Sequence, residues 1–186
     1  MKENILPALR LTLFSALFFS GIYTLSIYGI AQFSPNSGKG EIVTVNEKHY
    51  HINVAQKFAS DKYFWSRPSA VDYNAAGSGG SNKGTTNPEY LADVQSRIDT
   101  FLLKNPGVKA SEIPSEMVTA SGSGIDPDIS VQGAIVQSKR IAAARHIPEA
   151  EITKLIKDNT TAPLLGLLGT EKINVLALNI ALDKLK

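Results

Sequence analysis

The feature that most limits what this chain can become is an unbroken run without charge, Leu11–Phe33, reading LTLFSALFFSGIYTLSIYGIAQF. As a helix rising about 1.5 Å per residue it reaches about 35 Å, enough for a hydrocarbon layer of about 30 Å. Gly21 and Gly29 are acceptable in a membrane helix, and Tyr23 and Tyr28 lie toward its distal half, where interfacial aromatics are common. A cleaved signal peptide has a shorter apolar region and a small-x-small cleavage site. Here the run is too long, and Ala31 is followed by Gln32 and Phe33. A buried core helix is the other alternative, and the spanning length argues against it. The segment therefore reads as an uncleaved anchor. Lys2 and Arg10 precede it and Lys39 is the nearest cation after it. The positive-inside rule then places the N-terminus inside. Residues 34–186 hold no second run of spanning length, so one crossing puts a single soluble domain outside the cytoplasmic (inner) membrane. The expected organisation is a cytoplasmic N-terminus (1–10), a transmembrane helix (11–33), a linker (34–40) and a soluble domain (41–186).

Composition narrows the function classes. Nineteen basic and seventeen acidic residues among 186 leave a net charge of +2. That balance gives no basic stripe for a nucleic-acid partner. Hydrophobic residues make up 43%, enough for a packed core. The absence of cysteine excludes thiolate zinc sites, iron–sulfur clusters, cysteine nucleophiles and disulfides.

Local patterns give an α+β domain, helix-rich, with a small β element and two large Gly/Ser loops. Ser34–Gly40 is turn-rich, and Glu41–Val54 reads as a short hairpin. Ser66–Gly84 is a long loop of Gly, Ser, Asn and Pro. Asn87-Pro88 starts a helix, with Leu91, Val94, Ile98, Phe101 and Leu102 as its buried stripe and Asn105-Pro106-Gly107 as its stop. A second loop, Thr119–Pro127, follows. Ser130 is expected to cap one helix running to about His146, with Val131, Ala134, Ile135, Ile141 and Ala142 on one face. Arg145 shares that face and is expected to meet free carbonyls or a carboxylate. Pro148 opens a third helix burying Ile152, Leu155 and Ile156. Ile173–Leu185 is a final apolar helix interrupted by Asn174 and Asn179.

Several motifs invite chemistry. Gly77–Gly84 (GSGGSNKG) fails the phosphate-loop pattern, because Lys83 is followed by Gly84 rather than Ser or Thr. Its glycines permit close backbone approach, which suits a subunit interface. Gln137 and Arg140 are three apart and neighbours on a helix, flanking the apolar face. They are candidates for nucleotide contact or for a subunit surface. Gly122-Ser123-Gly124 lacks the nucleophile-elbow pattern. His49 and His51 share a face of a strand, without further metal ligands in view. Asp126 and Asp128 around Pro127 read as turn and cap residues, with a cation site as the alternative. Trp65, with Tyr63, Phe64 and Arg67, is a core cluster or an interface anchor.

Four blocks together resemble one family. YFWSRPSAVDYNAAGSGGSNKGTTNP (Tyr63–Pro88), VTASGSGIDPDIS (Val118–Ser130), QSKRIAAAR (Gln137–Arg145) and LLGTEKINVLALNIALD (Leu167–Asp183) are similar, in order and spacing, to KdpC, the small C subunit of the Kdp potassium-transporting P-type ATPase. The departures are Ala55 and Ser66 where the family usually has Gly, Asp128 where it has His, and Lys139 where it has Pro. The resemblance implies a non-catalytic membrane subunit of an ATP-driven potassium importer. Its partners would be a KdpA-type potassium-translocating subunit, a KdpB-type subunit bearing the phosphorylated aspartate and a KdpF-type small subunit, within membrane lipid. It also implies help in assembly and a raised ATP affinity of the catalytic subunit, with ATP reaching this chain only through the complex. On that view Trp65, Arg67, Gly79, Gly80, Ser81, Asn82, Ser121 and Ser123 are interface candidates, and Gln137 and Arg140 are nucleotide-contact candidates. The competing readings are a membrane-tethered ligand-binding module and an anchored hydrolase using Ser123.

If the apolar segment is an anchor, the membrane-extracted protein should have an intact mass near 20.0 kDa. A product lacking about 30 residues would identify a cleaved signal peptide instead.

Overall fold

The structure is a computed structural model and describes residues 4–185; Lys2, used above for orientation, lies outside them. The chain divides into two compact units at Val43/Thr44.

The first unit is dominated by helix α1, Ile5–Ala31, whose 27 residues are apolar enough to cross a membrane and are not buried by the rest of the chain. It begins before the uncharged run and ends just short of its last residues. Leu17–Tyr23 within it is wound as a π-helix. Hydroxyls accompany this widened turn, with Thr24 Oγ1 donating to the Phe19 carbonyl at 2.9 Å and Ser26 Oγ to that of Ile22 at 2.7 Å. They satisfy backbone groups that a membrane helix cannot leave to water. A tight turn, Pro35–Gly38, follows, with the Ser34 hydroxyl accepting from the Gly38 N–H.

Strands β1 (Ile42–Val45) and β2 (Lys48–His51) form the expected hairpin. Asn46 and Glu47 both take positive φ, as a two-residue hairpin turn requires. Between the hairpin and α2 the chain is irregular apart from one turn at Ala75–Gly77. Helix α2, Pro88–Lys104, starts where the sequence indicates, with Asn87 Oδ1 accepting from the Tyr90 N–H at 3.0 Å. Of its expected stripe only Phe101 is fully buried; Val94, Ile98 and Leu102 are half-buried and Leu91 is exposed.

The helix expected from Ser130 to His146 is two helices, α3 (Val131–Ile135) and α4 (Ser138–Arg145). The break centres on Gln137. In a continuous helix the Gln137 N–H would bond the Gly133 carbonyl. Instead the Gln137 side chain takes that carbonyl at 2.8 Å, and its N–H turns to Ala134. Ala134 and Ile141 are buried as expected, while Ile135 is 43% exposed.

Helix α5, Glu149–Asp158, buries Ile152, Leu155 and Ile156. The final helix starts two residues later than expected. Ile173–Asn174 is a strand, β4, antiparallel to β3 (Asp128–Ile129), with Ile173 opposite Ile129. Asn174 then caps α6, Val175–Asp183, by accepting from the Ala177 N–H. An Asn at an N-cap holds the extended backbone that ends the strand. The result is an α+β domain whose core joins Phe64, Ile129, Ile141, Ile152, Ile156, Ile173, Leu178 and Leu182.

Leu178→Ala should lower unfolding stability by about 2–5 kcal/mol, because the vacated volume lies in this core. Leu103→Ala, on the exposed side of α2, should change it by less than about 0.5 kcal/mol. Denaturant titration of the detergent-solubilised chain measures both.

Candidate functional site

The segment Asp61–Arg67 carries the aromatic cluster, and polar side chains from other parts of the chain fix its backbone. Asn179 of α6 accepts from the Phe64 N–H and donates to the Phe64 carbonyl, both at 2.9 Å. Gln137 Oε1 accepts from the Trp65 N–H and from Arg140 Nη2, both at 2.8 Å. Arg140 donates through Nη1 to the carbonyls of Asp61 and Tyr63, and through Nε to Asn105 Oδ1 at 3.0 Å. Asn105 in turn donates to the Phe101 carbonyl at the end of α2. The guanidinium lies 4.2 Å from the centre of the Trp65 ring, which meets Phe101 edge to face. Beside this cage, Arg145 donates to the Lys62 carbonyl at 2.7 Å, pairs with Asp183 at 2.6 Å and stacks over Tyr63.

Gln137 is 0% exposed and Arg140 6%. Burial pulls the Arg140 pKa down to about 10, opposed by the Asp61 carboxylate, so the guanidinium stays charged at neutral pH. Such a buried charge is tolerated because carbonyls and amide oxygens surround it. Gln137 and Arg140 thus sit inside the domain, not beside its apolar face, because the helix break turns them inward. Both lone pairs of the Gln137 oxygen are engaged by the chain itself.

The two Gly/Ser loops pack on one another. Gly79 donates to the Ser123 carbonyl at 2.9 Å. Ser69 donates to the Gly124 carbonyl at 2.6 Å and accepts from the Tyr73 N–H at 2.8 Å. The buried Ser121 hydroxyl accepts from the Gly124 N–H. Gly124 has φ +69, and a Cβ there would lie 2.5 Å from Val71 Cγ2 and 2.8 Å from the Gly79 carbonyl. A Cβ on Gly80 would lie 3.1 Å from the Gly122 carbonyl. Neither Gly79 nor Gly80 has positive φ, so the left-handed requirement falls on Gly124 and the close approach is within this chain. Ser81, Asn82 and Ser123 remain exposed on the outside of the paired loops.

Arg67 pairs with Asp126 at 2.6 Å, its carbonyl accepts from the Tyr73 hydroxyl, and its Nε is buried without a hydrogen-bond partner. Burial, then the Asp72 carboxylate, raises the Tyr73 pKa. Asp126 also accepts from the Asp128 N–H, the expected turn role. Asp128 pairs with Lys172 at 2.6 Å instead of capping α3, a task that Ser130 performs. That bond raises the Lys172 pKa. The pair's contribution is therefore complete at neutral pH and lost as pH rises through the raised value. Ser66, standing for Gly, is buried with its hydroxyl donated to the Gln56 carbonyl at 2.8 Å.

Trp65 is half-buried. It packs into the core and also lines an open groove of about 470 Å³ with Phe58, Tyr73, Arg97, Phe101 and Met117. His49 is hydrogen-bonded to Thr44, and no three metal-ligating residues converge among the described residues. The Ser123 hydroxyl accepts from the Ile125 N–H and meets Ser121; among the described residues no histidine bonds it. The sequence pattern marks Asn105 only as a helix stop and carries no signal for Ser69. It shows Asn179 only as an interruption, although a lone amide in so apolar a helix is the mark of a buried partner.

With this geometry in hand, comparison with known proteins is specific. Residues 5–184 match the family model described as KdpC: K+-transporting ATPase, c chain. Proteins described as Potassium-transporting ATPase KdpC subunit are similar over the whole chain. That of Flavobacterium psychrophilum is 55% identical over 185 residues, 99% of this chain and 100% of the relative. That of Bacteroides fragilis is 50% identical over 188 residues, 99% and 98% respectively. That of Caldanaerobacter subterraneus is 41% identical over 184 residues, 98% and 95%. The chain belongs to the KdpC family.

Gln137→Leu should cost about 3 kcal/mol or more, because it strands the Trp65 N–H, the Gly133 carbonyl and one arm of a buried cation. Gln137→Glu keeps the acceptors and should cost less. Equal denaturation midpoints for Gln137→Leu and the natural chain would show that this cage does not hold the aromatic segment.

Proposed function

We propose that this chain is the single-pass, non-catalytic subunit of an ATP-driven potassium import complex. In this reading its N-terminus is cytoplasmic and its domain extracytoplasmic, as Lys2 and Arg10 on the N-terminal side of the uncharged run indicate. It assembles with KdpA-type, KdpB-type and KdpF-type subunits. Potassium passes through the first, and ATP and the phosphorylated aspartate belong to the second. The chain has no D-K-T-G phosphorylation motif of its own.

The observation that carries this reading is the engagement of Gln137 and Arg140 inside the domain. It favours an indirect effect on nucleotide. Any rise in ATP affinity then arrives as a coupling free energy through the assembled complex, typically about 1–3 kcal/mol. The outward face of the paired loops, with Ser81, Asn82 and Ser123, is the docking surface, backed by Arg67 and the groove at Trp65. The clasp between the loops gives it a fixed shape, so little conformational entropy is lost on docking.

A single variant tests both parts. Ser81→Cys would carry the only thiol in this chain. In intact cells producing the subunit alone, an impermeant maleimide should label it, and co-production of the partner subunits should reduce labelling severalfold. Labelling only after the inner membrane is broken would reverse the orientation. Undiminished labelling in the purified complex would remove this loop from the interface.

A further inference from the structure

Beyond the site described, the soluble unit carries one concentrated apolar projection. From Asn159 to Thr170 the chain has no charge, and within it stands Leu164-Leu165-Gly166-Leu167-Leu168. All four leucines are exposed, at 67%, 83%, 86% and 62% in order. Four neighbouring leucines left in water are a large apolar patch for one short loop, and such patches mark contact surfaces. The loop is not a frayed segment. Leu164 and Leu168 exchange both backbone hydrogen bonds at 2.9 Å, and the Gly166 N–H bonds the Pro163 carbonyl at 2.9 Å. A second bridge, Thr161 with Lys172, closes its base onto β4. Leu165 is held at φ 56, a conformation leucine rarely adopts. A residue kept in such a conformation at an exposed tip points to a use for the side chain it presents.

We infer that this leucine loop inserts into the acyl region of the membrane surface, as a second lipid contact beside α1. Three observations favour lipid over a protein groove. The loop is uncharged, with exposed leucines on both sides of Gly166, so it offers a protein groove no charge to pair with. Much of its backbone is paired within the loop, which a lipid environment demands because no water or partner is there to satisfy it. The same chain supplies a membrane helix, and only residues 32–41 join it to the hairpin, at most about 35 Å of extended chain. A loop tethered that closely meets the surface at high effective concentration, so a few leucines suffice for stable contact. The inference does not depend on which side of the membrane the domain occupies.

The test uses the full chain and the assembled complex in phosphatidylcholine vesicles, with Leu167→Cys carrying an environment-sensitive NBD label. Lipids bearing nitroxide on the acyl chain should quench the label strongly in both preparations, and aqueous iodide should quench it weakly. Adding Leu165→Asp should reverse that order while leaving the melting temperature unchanged, since Leu165 is exposed. Strong iodide quenching without the added Asp would show a solvated loop and overturn the inference. A label shielded from both quenchers in the complex would assign the loop to a partner subunit and overturn it equally.

Discussion

The second unit of the chain depends on a buried cation. Arg140 sits under Trp65 with carbonyls of Asp61 and Tyr63, the Asn105 amide and the Gln137 amide as its acceptors. These groups come from three separate stretches of chain, around residues 61–65, 105 and 137–140. A charge in a low-dielectric interior is costly unless every direction of its donors is met, so the guanidinium fixes where each of those stretches can lie. Through Gln137 the same cage breaks one helix into α3 and α4 and holds the Trp65 backbone. Through Asn105 it fixes the end of α2. The cation is thus a register device for the aromatic segment, more than a source of net stability.

The paired Gly/Ser loops extend that framework. Ser69, just past the aromatic segment, bonds the Gly124 carbonyl, and Gly79 bonds Ser123. The glycines let two backbones approach with nothing between them, and at Gly124 the left-handed conformation itself excludes a side chain. A surface built this way is irregular in backbone yet constrained in position, as recognition loops on a scaffold generally are. The Arg67–Asp126 pair ties the same region to the turn before β3, and the Asp128–Lys172 pair fastens β3 toward β4. At position 128 a carboxylate and a lysine are joined, so this chain supports that corner with an ion pair.

Much of the architecture was legible because it rests on local rules. The uncharged run of Leu11–Phe33, the Asn87-Pro88 helix start, the buried face of α5 and the hairpin each follow from spacing and capping chemistry within a few residues. The two loops were legible as loops. The role of their glycines was not, since a reading along the chain cannot see that Gly80 faces Gly122 some forty residues away. The split of α3 from α4 and the short strand at Ile173–Asn174 were missed for the same reason. Each is decided by a partner distant in sequence, Trp65 in one case and Ile129 in the other.

The sequence by itself determined an apolar helix of membrane-spanning length, an α+β domain, two glycine-rich loops and, through four blocks of residues, the family. Those are properties of periodicity, charge absence and residue type, and none needs a third dimension. The tertiary structure alone decided what Gln137 and Arg140 do. Helical spacing shows that they are neighbours, but whether they face water or the interior depends on which acceptors surround them once the chain is folded. Here those acceptors are backbone carbonyls and amides from residues 61, 63, 105 and 133, with the Trp65 N–H donating into the same cage, so both side chains hold the domain together from within.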